Sequence, residues 1–181
     1  MNKIKEKENK TLESLKGKFN YKNRLAAPRL IKAVISVSTG SAVKKDPKRN
    51  DLVTDRIGKI SGQKPALRAA KKSIAGFKIR QGDPVGLSAT LRGQRMYGFL
   101  DKFLNIALPR TKDFRGLNPK AVDDIGNMTI AIREHIIFPE TADEDVKDVF
   151  GLAITIVTSA RTRDEALAFL THLGFPFKKI V

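Results

Sequence analysis

The sequence predicts an α+β fold: a mainly antiparallel sheet with helices packed against it and a long basic hairpin loop. Three observations carry this. Segments rich in β-branched residues, or with a period of two, recur at 30–37, 85–91, 128–133 and 152–158. Segments of helical period stand around them. Strands on either side of Ser73-Ile74-Ala75-Gly76 make that stretch the tip of a hairpin.

In chain order, Leu12, Leu15 and Phe19 recur at helical spacing, which predicts a short amphipathic helix in a Lys/Glu-rich segment where Ile4 stands alone. The first residues of that segment are expected to fray. Pro28 breaks the chain, and Leu30 to Val37 reads as a strand. Ser38-Thr39-Gly40-Ser41 is a tight small-residue turn, followed by a basic loop, Lys44 to Asn50, around Pro47. Leu52, Val53, Ile57 and Ile60 predict a helix from Asp51 to Ile60. Ser61 to Pro65 interrupts it, and Val85, Leu87, Ala89 and Leu91 then alternate with Gly86, Ser88, Thr90 and Arg92. Met96, Phe99, Leu100, Phe103, Leu104 and Ala107 form the strongest helical pattern, ending at Pro109. Residues 109–127 are irregular. Thr162 with Glu165 reads as a capping box opening a last helix, which buries Leu167, Leu170 and Leu173 and is closed by Gly174. The expected organisation is a helical extension over residues 1–20 and a single domain over 21–181.

The chain has 181 residues, 35 of them Lys or Arg and 19 Asp or Glu, for a formal charge of +16. That charge is lopsided. Residues 1–80 hold 22 basic and 6 acidic side chains, whereas residues 81–181 hold 13 of each. A one-sided basic balance points to a polyanionic partner. The absence of cysteine removes disulfide scaffolds, thiolate metal sites and cysteine nucleophiles. No apolar run is long enough to span a bilayer, and the N-terminus lacks the pattern of a signal peptide. The expectation is a cytosolic protein with an anionic partner and no membrane association.

Groups for catalysis are few. His135 and His172 have no metal-ligand spacing, and both read as structural. Gly58 to Pro65 has the wrong spacing for a phosphate-binding loop, and Pro65 stands where a magnesium-holding hydroxyl belongs. As a turn bringing backbone donors and Lys64 to a phosphodiester it stays credible. Asp123 to Asn127 reads as an ordinary turn. Asp143-Glu144-Asp145 and Asp148 read as helix-start acids, and either acidic segment is able to meet a basic protein. No cofactor, metal or small-molecule substrate is expected, and the chain does not read as an enzyme. The basic half differs: Lys64, Arg68, Lys71, Lys72, Lys78 and Arg80 fall within 17 residues that contain no acid. Such a segment attracts phosphate strongly and without regard to sequence. Phe77 within it either stacks on an unpaired base or anchors the hairpin in the core. The runner-up reading is a general nucleic-acid-binding protein of nucleoid or RNA-chaperone type.

Several motifs in order carry a resemblance. Ser61 to Pro65, Lys71 to Arg80, Thr90-Leu91-Arg92-Gly93, Ala107 to Arg110, Asp113 to Leu117, Gly126-Asn127 and Ile136 to Glu140 resemble the bacterial-type large-subunit ribosomal protein L-five family. The resemblance runs from Tyr21 to Phe177. It implies a non-enzymatic role in the central protuberance of the large subunit: binding 5S rRNA, helping attach it to 23S rRNA, contacting P-site tRNA and bridging to small-subunit protein S-thirteen. By motif, it puts 5S rRNA contacts on Ser36, Ser38, Thr39, Gly40, Ser61, Gly62, Gln63, Lys64, Pro65 and Arg68. It puts tRNA contacts on Ser73, Ile74, Ala75, Gly76, Phe77, Lys78 and Arg80. The inter-subunit bridge falls on Arg110, Lys112, Asp113 and Arg115. One departure stands out: the family's Asn-x-Gly in the first-strand turn is Ser36-Val37-Ser38 here, with a shorter polar arm and less freedom for positive φ.

Overall fold

The computed structural model describes residues 3–43, 46, 48–142 and 148–178. Lys44, Lys45 and Pro47 of the expected basic loop, and Asp143-Glu144-Asp145, lie outside the described residues.

Two short helices open the chain, α1 (Lys3–Asn9) and α2 (Thr11–Phe19), where one was expected. Ile4 does not stand alone: it is buried, because α1 packs against two helices, one from the middle of the chain and one from its far end. β1 (Leu30–Ser38) follows, then a helical turn, α3 (Gly40–Val43), and α4 (Arg49–Ser61). β2 (Ala66–Ala69) and β3 (Pro84–Leu91) form the hairpin, and α5 (Gly93–Lys102) comes next. β4 (Met128–Ile132), β5 (Leu152–Thr158) and α6 (Arg163–Leu173) complete the fold. The strands make one antiparallel sheet in the order β2-β3-β1-β5-β4.

Alternation in the strands decides which face is covered. Ala33, Ile35 and Val37 of β1 turn inward with Leu87, Ala89 and Leu91 of β3, Ile154 and Ile156 of β5, and Met128, Ile130 and Ile132 of β4; all are buried. The helices supply the other half of the core through Ile57, Leu100, Phe103, Phe169 and Leu170. Phe99, Phe103 and Phe138 stack at centroid distances of 6.0–6.3 Å. The opposite face of the sheet is left open.

Two elements depart from their sequence patterns. The helix expected to run to Pro109 changes to a π-turn over Phe103–Ala107, with the Leu108 amide donating to the Phe103 carbonyl at 2.8 Å. This wider turn keeps both Phe103 and Ala107 in the core. In α6, Leu167 is only half-buried and Phe169 takes its expected place inside. The capping box is modified as well. The Thr162 hydroxyl accepts from the Glu165 amide, but the Glu165 carboxylate reaches one residue further back, to the Arg161 amide at 2.7 Å, and also accepts the Tyr21 hydroxyl.

Candidate nucleic-acid interface

Strand register brings Ser36, Ser38 and Arg68 onto the open face of the sheet. Ser36 lies opposite Ser88 of β3 and Ala153 of β5, and Ser88 in turn lies opposite Ala66 of β2. The next row is Ser38, Gly86 and Arg68. The preceding row is Thr90, Val34, Thr155 and Thr129. Small and hydroxyl-bearing side chains therefore line a shallow cleft of about 530 Å³ that includes Ser36, Ser38, Arg68, Ser88 and Ala153. Gly86 is obligatory for this flatness: a Cβ there would sit 2.7 Å from the Val37 carbonyl oxygen.

The turn that joins α4 to β2 stands at one margin of this face. Gly62 ends α4 in the left-handed region, φ +66°, and its amide donates to the Gly58 carbonyl at 2.8 Å. Ser61 is buried, and its hydroxyl donates to the Ile57 carbonyl at 2.6 Å while accepting from the Gln63 amide at 3.2 Å. Gln63 is half-buried and its side-chain amide donates to the Thr90 carbonyl at 3.2 Å, tying the turn to β3. Pro65 is buried, whereas Gly62 and Lys64 are exposed. Lys64 borders a groove of about 520 Å³ shared with Thr54, Asp55, Gly58 and Lys59. There the Lys59 ammonium, 2.9 Å from Asp55, holds that carboxyl below its ordinary range.

The first-strand turn is built differently from its sequence picture. Thr39 is buried, its hydroxyl donates to Asn50 Oδ1 at 2.7 Å, and its amide donates to the Val85 carbonyl. Its side chain shapes the turn. Gly40 opens α3 beside Val85.

Beyond Ala69 and Pro84 the hairpin loop holds itself together. Ile74 and Ile79 exchange backbone bonds, Lys78 takes a left-handed conformation (φ 52°), the Gln81 amide donates to the Ser73 hydroxyl and the Arg80 amide donates to Asp83. Residues 71–78 are all exposed, and Ala75–Phe77 forms a single 3₁₀ turn. Phe77 is 68% exposed and Ile74 49%, so Phe77 does not anchor the hairpin in the core. Arg110, Lys112, Asp113 and Arg115 lie exposed on a different loop, which flanks the end of β4 near Arg133 and Glu134.

Three surfaces thus stand apart: the sheet with its marginal turn, the hairpin tip, and the loop beside β4. Sequence reading missed Ser88 and Thr90 as members of the first, although their outward phase along β3 was the available signal. Chemistry points away from catalysis. His135 is fully buried and stacks on Phe150 at 4.0 Å, while His172 Nε2 donates to the Lys7 carbonyl. The Asp123 carboxylate accepts from the Asn127 amide, as an ordinary turn requires. Among the described residues no cluster of potential metal ligands occurs and no helix is long and apolar enough to cross a membrane.

Comparison with known proteins covers nearly the whole chain. The family model for ribosomal protein L5 matches residues 23–80, and the model for the C-terminus of the same ribosomal family matches 84–177. Large ribosomal subunit protein uL5 of Halothermothrix orenii is 52% identical over 165 residues, covering 91% of this chain and 92% of its own length. That of Ligilactobacillus salivarius is 48% identical over 180 residues, 99% of each chain. That of Carboxydothermus hydrogenoformans is 44% identical over 180 residues, 99% of this chain and 100% of its own. With both halves matched and the likeness running end to end, the chain belongs to the ribosomal protein L5 family.

Proposed function

We propose that this chain is a non-enzymatic structural protein of the large ribosomal subunit that holds 5S rRNA on the open face of its sheet and helps attach it to 23S rRNA. The observation that carries this reading is the face itself: an antiparallel sheet presenting Ser36, Ser88, Thr90 and Thr155 among small residues, with Arg68 on its edge strand and Lys64 exposed on the turn that leads into that strand. Hydroxyls that donate and accept suit ribose 2′-hydroxyls and base edges, and the two cations suit phosphate. Ser61, Thr39 and Pro65 act by shaping the turns, and Gly62 lets backbone come close. The Gln63 side-chain oxygen is left to accept from RNA after its amide nitrogen has been used on Thr90.

In this reading the hairpin tip, Ser73 to Arg80, reaches P-site tRNA, and Phe77 is placed to stack on a base or ribose. The loop carrying Arg110, Lys112, Asp113 and Arg115 faces small-subunit protein S-thirteen. The deciding measurement is affinity for 5S rRNA against an unrelated RNA duplex at physiological salt. A preference for 5S rRNA of about tenfold or more is expected. Equal affinities would favour the general nucleic-acid-binding alternative and defeat the proposal.

A further inference from the structure

The loop of residues 20–29 and α1 enclose a pocket of about 190 Å³ that none of the three surfaces uses. Lys5, Arg24 and Arg29 line it, with Leu25 at its rim, 87% exposed. Among the described residues the only acid in its lining is Glu8. That carboxylate is already engaged, since one oxygen accepts the Leu30 amide at 2.9 Å and the other the Tyr97 hydroxyl. The cations are mounted on fixed backbone. The Arg29 amide donates to the Ser159 hydroxyl, and the Arg29 carbonyl accepts the Ser159 amide. Asn23 closes the loop by accepting the Ala26 amide, and Arg24 is steered by Asn9 Oδ1 at 2.6 Å.

From this geometry we infer that the Lys5–Arg24–Arg29 pocket seats the sugar–phosphate backbone of a second RNA, separate from the one on the sheet. The inference rests on the reading that the chain joins two RNAs. Three cations against one satisfied carboxylate complement a phosphodiester, and the exposed Leu25 offers an apolar contact for ribose. A backbone already fixed at Arg29, and a guanidinium already oriented at Arg24, leave less to be ordered on contact. Position supplies the rest of the argument. The pocket adjoins the Leu30 end of β1, whereas Ser38 and the hairpin lie at the other end, about 25 Å away at the rise of an extended strand. A protein gripping RNA at both ends of its sheet is built to hold two RNA segments in fixed relation.

The test compares wild type with Lys5→Gln/Arg24→Gln/Arg29→Gln, and with Arg29→Gln alone, which keeps the backbone bonds to Ser159. Thermal melts establish folding, and titrations with 5S rRNA and with 23S rRNA are run across a salt series. The triple variant is expected to bind 5S rRNA within about twofold of wild type, while its affinity for 23S rRNA falls about tenfold or more. Its log–log salt slope for 23S rRNA should shrink by about two, and that of Arg29→Gln by about one. Unchanged binding of 23S rRNA by a folded variant would overturn the inference and leave the pocket to an acidic protein segment. Equal losses on both RNAs would overturn it too, by assigning the pocket to the 5S surface. If the triple variant does not fold, the single variant decides by the same criteria. Wild type that shows no preference for 5S rRNA would instead defeat the reading beneath it.

Discussion

Lys64 projects from a turn that its neighbours hold still. Gly62 supplies the left-handed cap, the Ser61 hydroxyl bridges the Ile57 carbonyl and the Gln63 amide, and Gln63 is bonded to β3. A cation on such a mount meets phosphate with little ordering cost. Lys64→Ala is therefore expected to weaken 5S rRNA binding and reduce the log–log salt slope by about one, read from titrations at several salt concentrations. An unchanged slope would remove Lys64 from the phosphate. Gly86 makes a second argument at this scale. Its missing Cβ would meet a backbone oxygen, which cannot swing aside as a side chain does. Gly86→Ala should cost about 1–3 kcal/mol of stability, as other overpacked sites do, measured as a shift of the denaturant midpoint. Full stability would mean that β1 and β3 part there without strain.

At the scale of elements, the hairpin loop is closed by its own bonds: Ile74 to Ile79, Ala70 to Asp83, Arg80 to Asp83. It lends no buried side chain to the sheet. Deleting Ser73 to Phe77 should leave 5S rRNA affinity nearly unchanged while weakening tRNA contact in assembled ribosomes, as footprinting of the tRNA would register. Loss of 5S binding by the free protein would show that the two surfaces are one. Elements of this kind differ in how far the sequence reveals them. β1 was legible from its β-branched residues, and β3 and β5 because one-sided burial writes a period of two into the chain. The π-turn was not, since an i+5 bond differs from an i+4 bond only in backbone geometry and leaves the apolar spacing of Met96 to Ala107 nearly intact. Ile4 was not either, because its burial depends on α1 meeting α5 and α6, both remote from it along the chain. Among site residues, composition marked the basic ones and the phase of β3 turned Ser88 and Thr90 outward, but no local signal told that the hydroxyls of Ser61 and Thr39 turn inward or that Ser36 lies beside Ser88.

Across the whole molecule, both tyrosines tie the N-terminal helices and the segment after them to the body. The Tyr21 hydroxyl, just past α2, donates to Glu165 of α6 at 2.7 Å, and the Tyr97 hydroxyl of α5 donates to Glu8 of α1 at 2.5 Å. Lys7 and His172 add a reciprocal clamp, the Lys7 ammonium donating to the Leu173 carbonyl and the His172 imidazole to the Lys7 carbonyl. Burial first, then the bond to a neighbouring carboxylate, raises both phenols above their ordinary value of 10. These are the only two tyrosines in the chain, so none is left to ionise normally in the folded state. The sign follows from proton counting. Above pH 10 the unfolded chain has released phenolic protons that the folded chain still holds, so stability present below that pH declines as pH rises. Phenolate absorbance is therefore expected to stay low in the folded protein past about pH 10 and then rise together with loss of helical circular dichroism. A smooth titration centred near the ordinary phenol value, with the helical signal intact, would show that these phenols do not bind the N-terminal helices to the sheet domain.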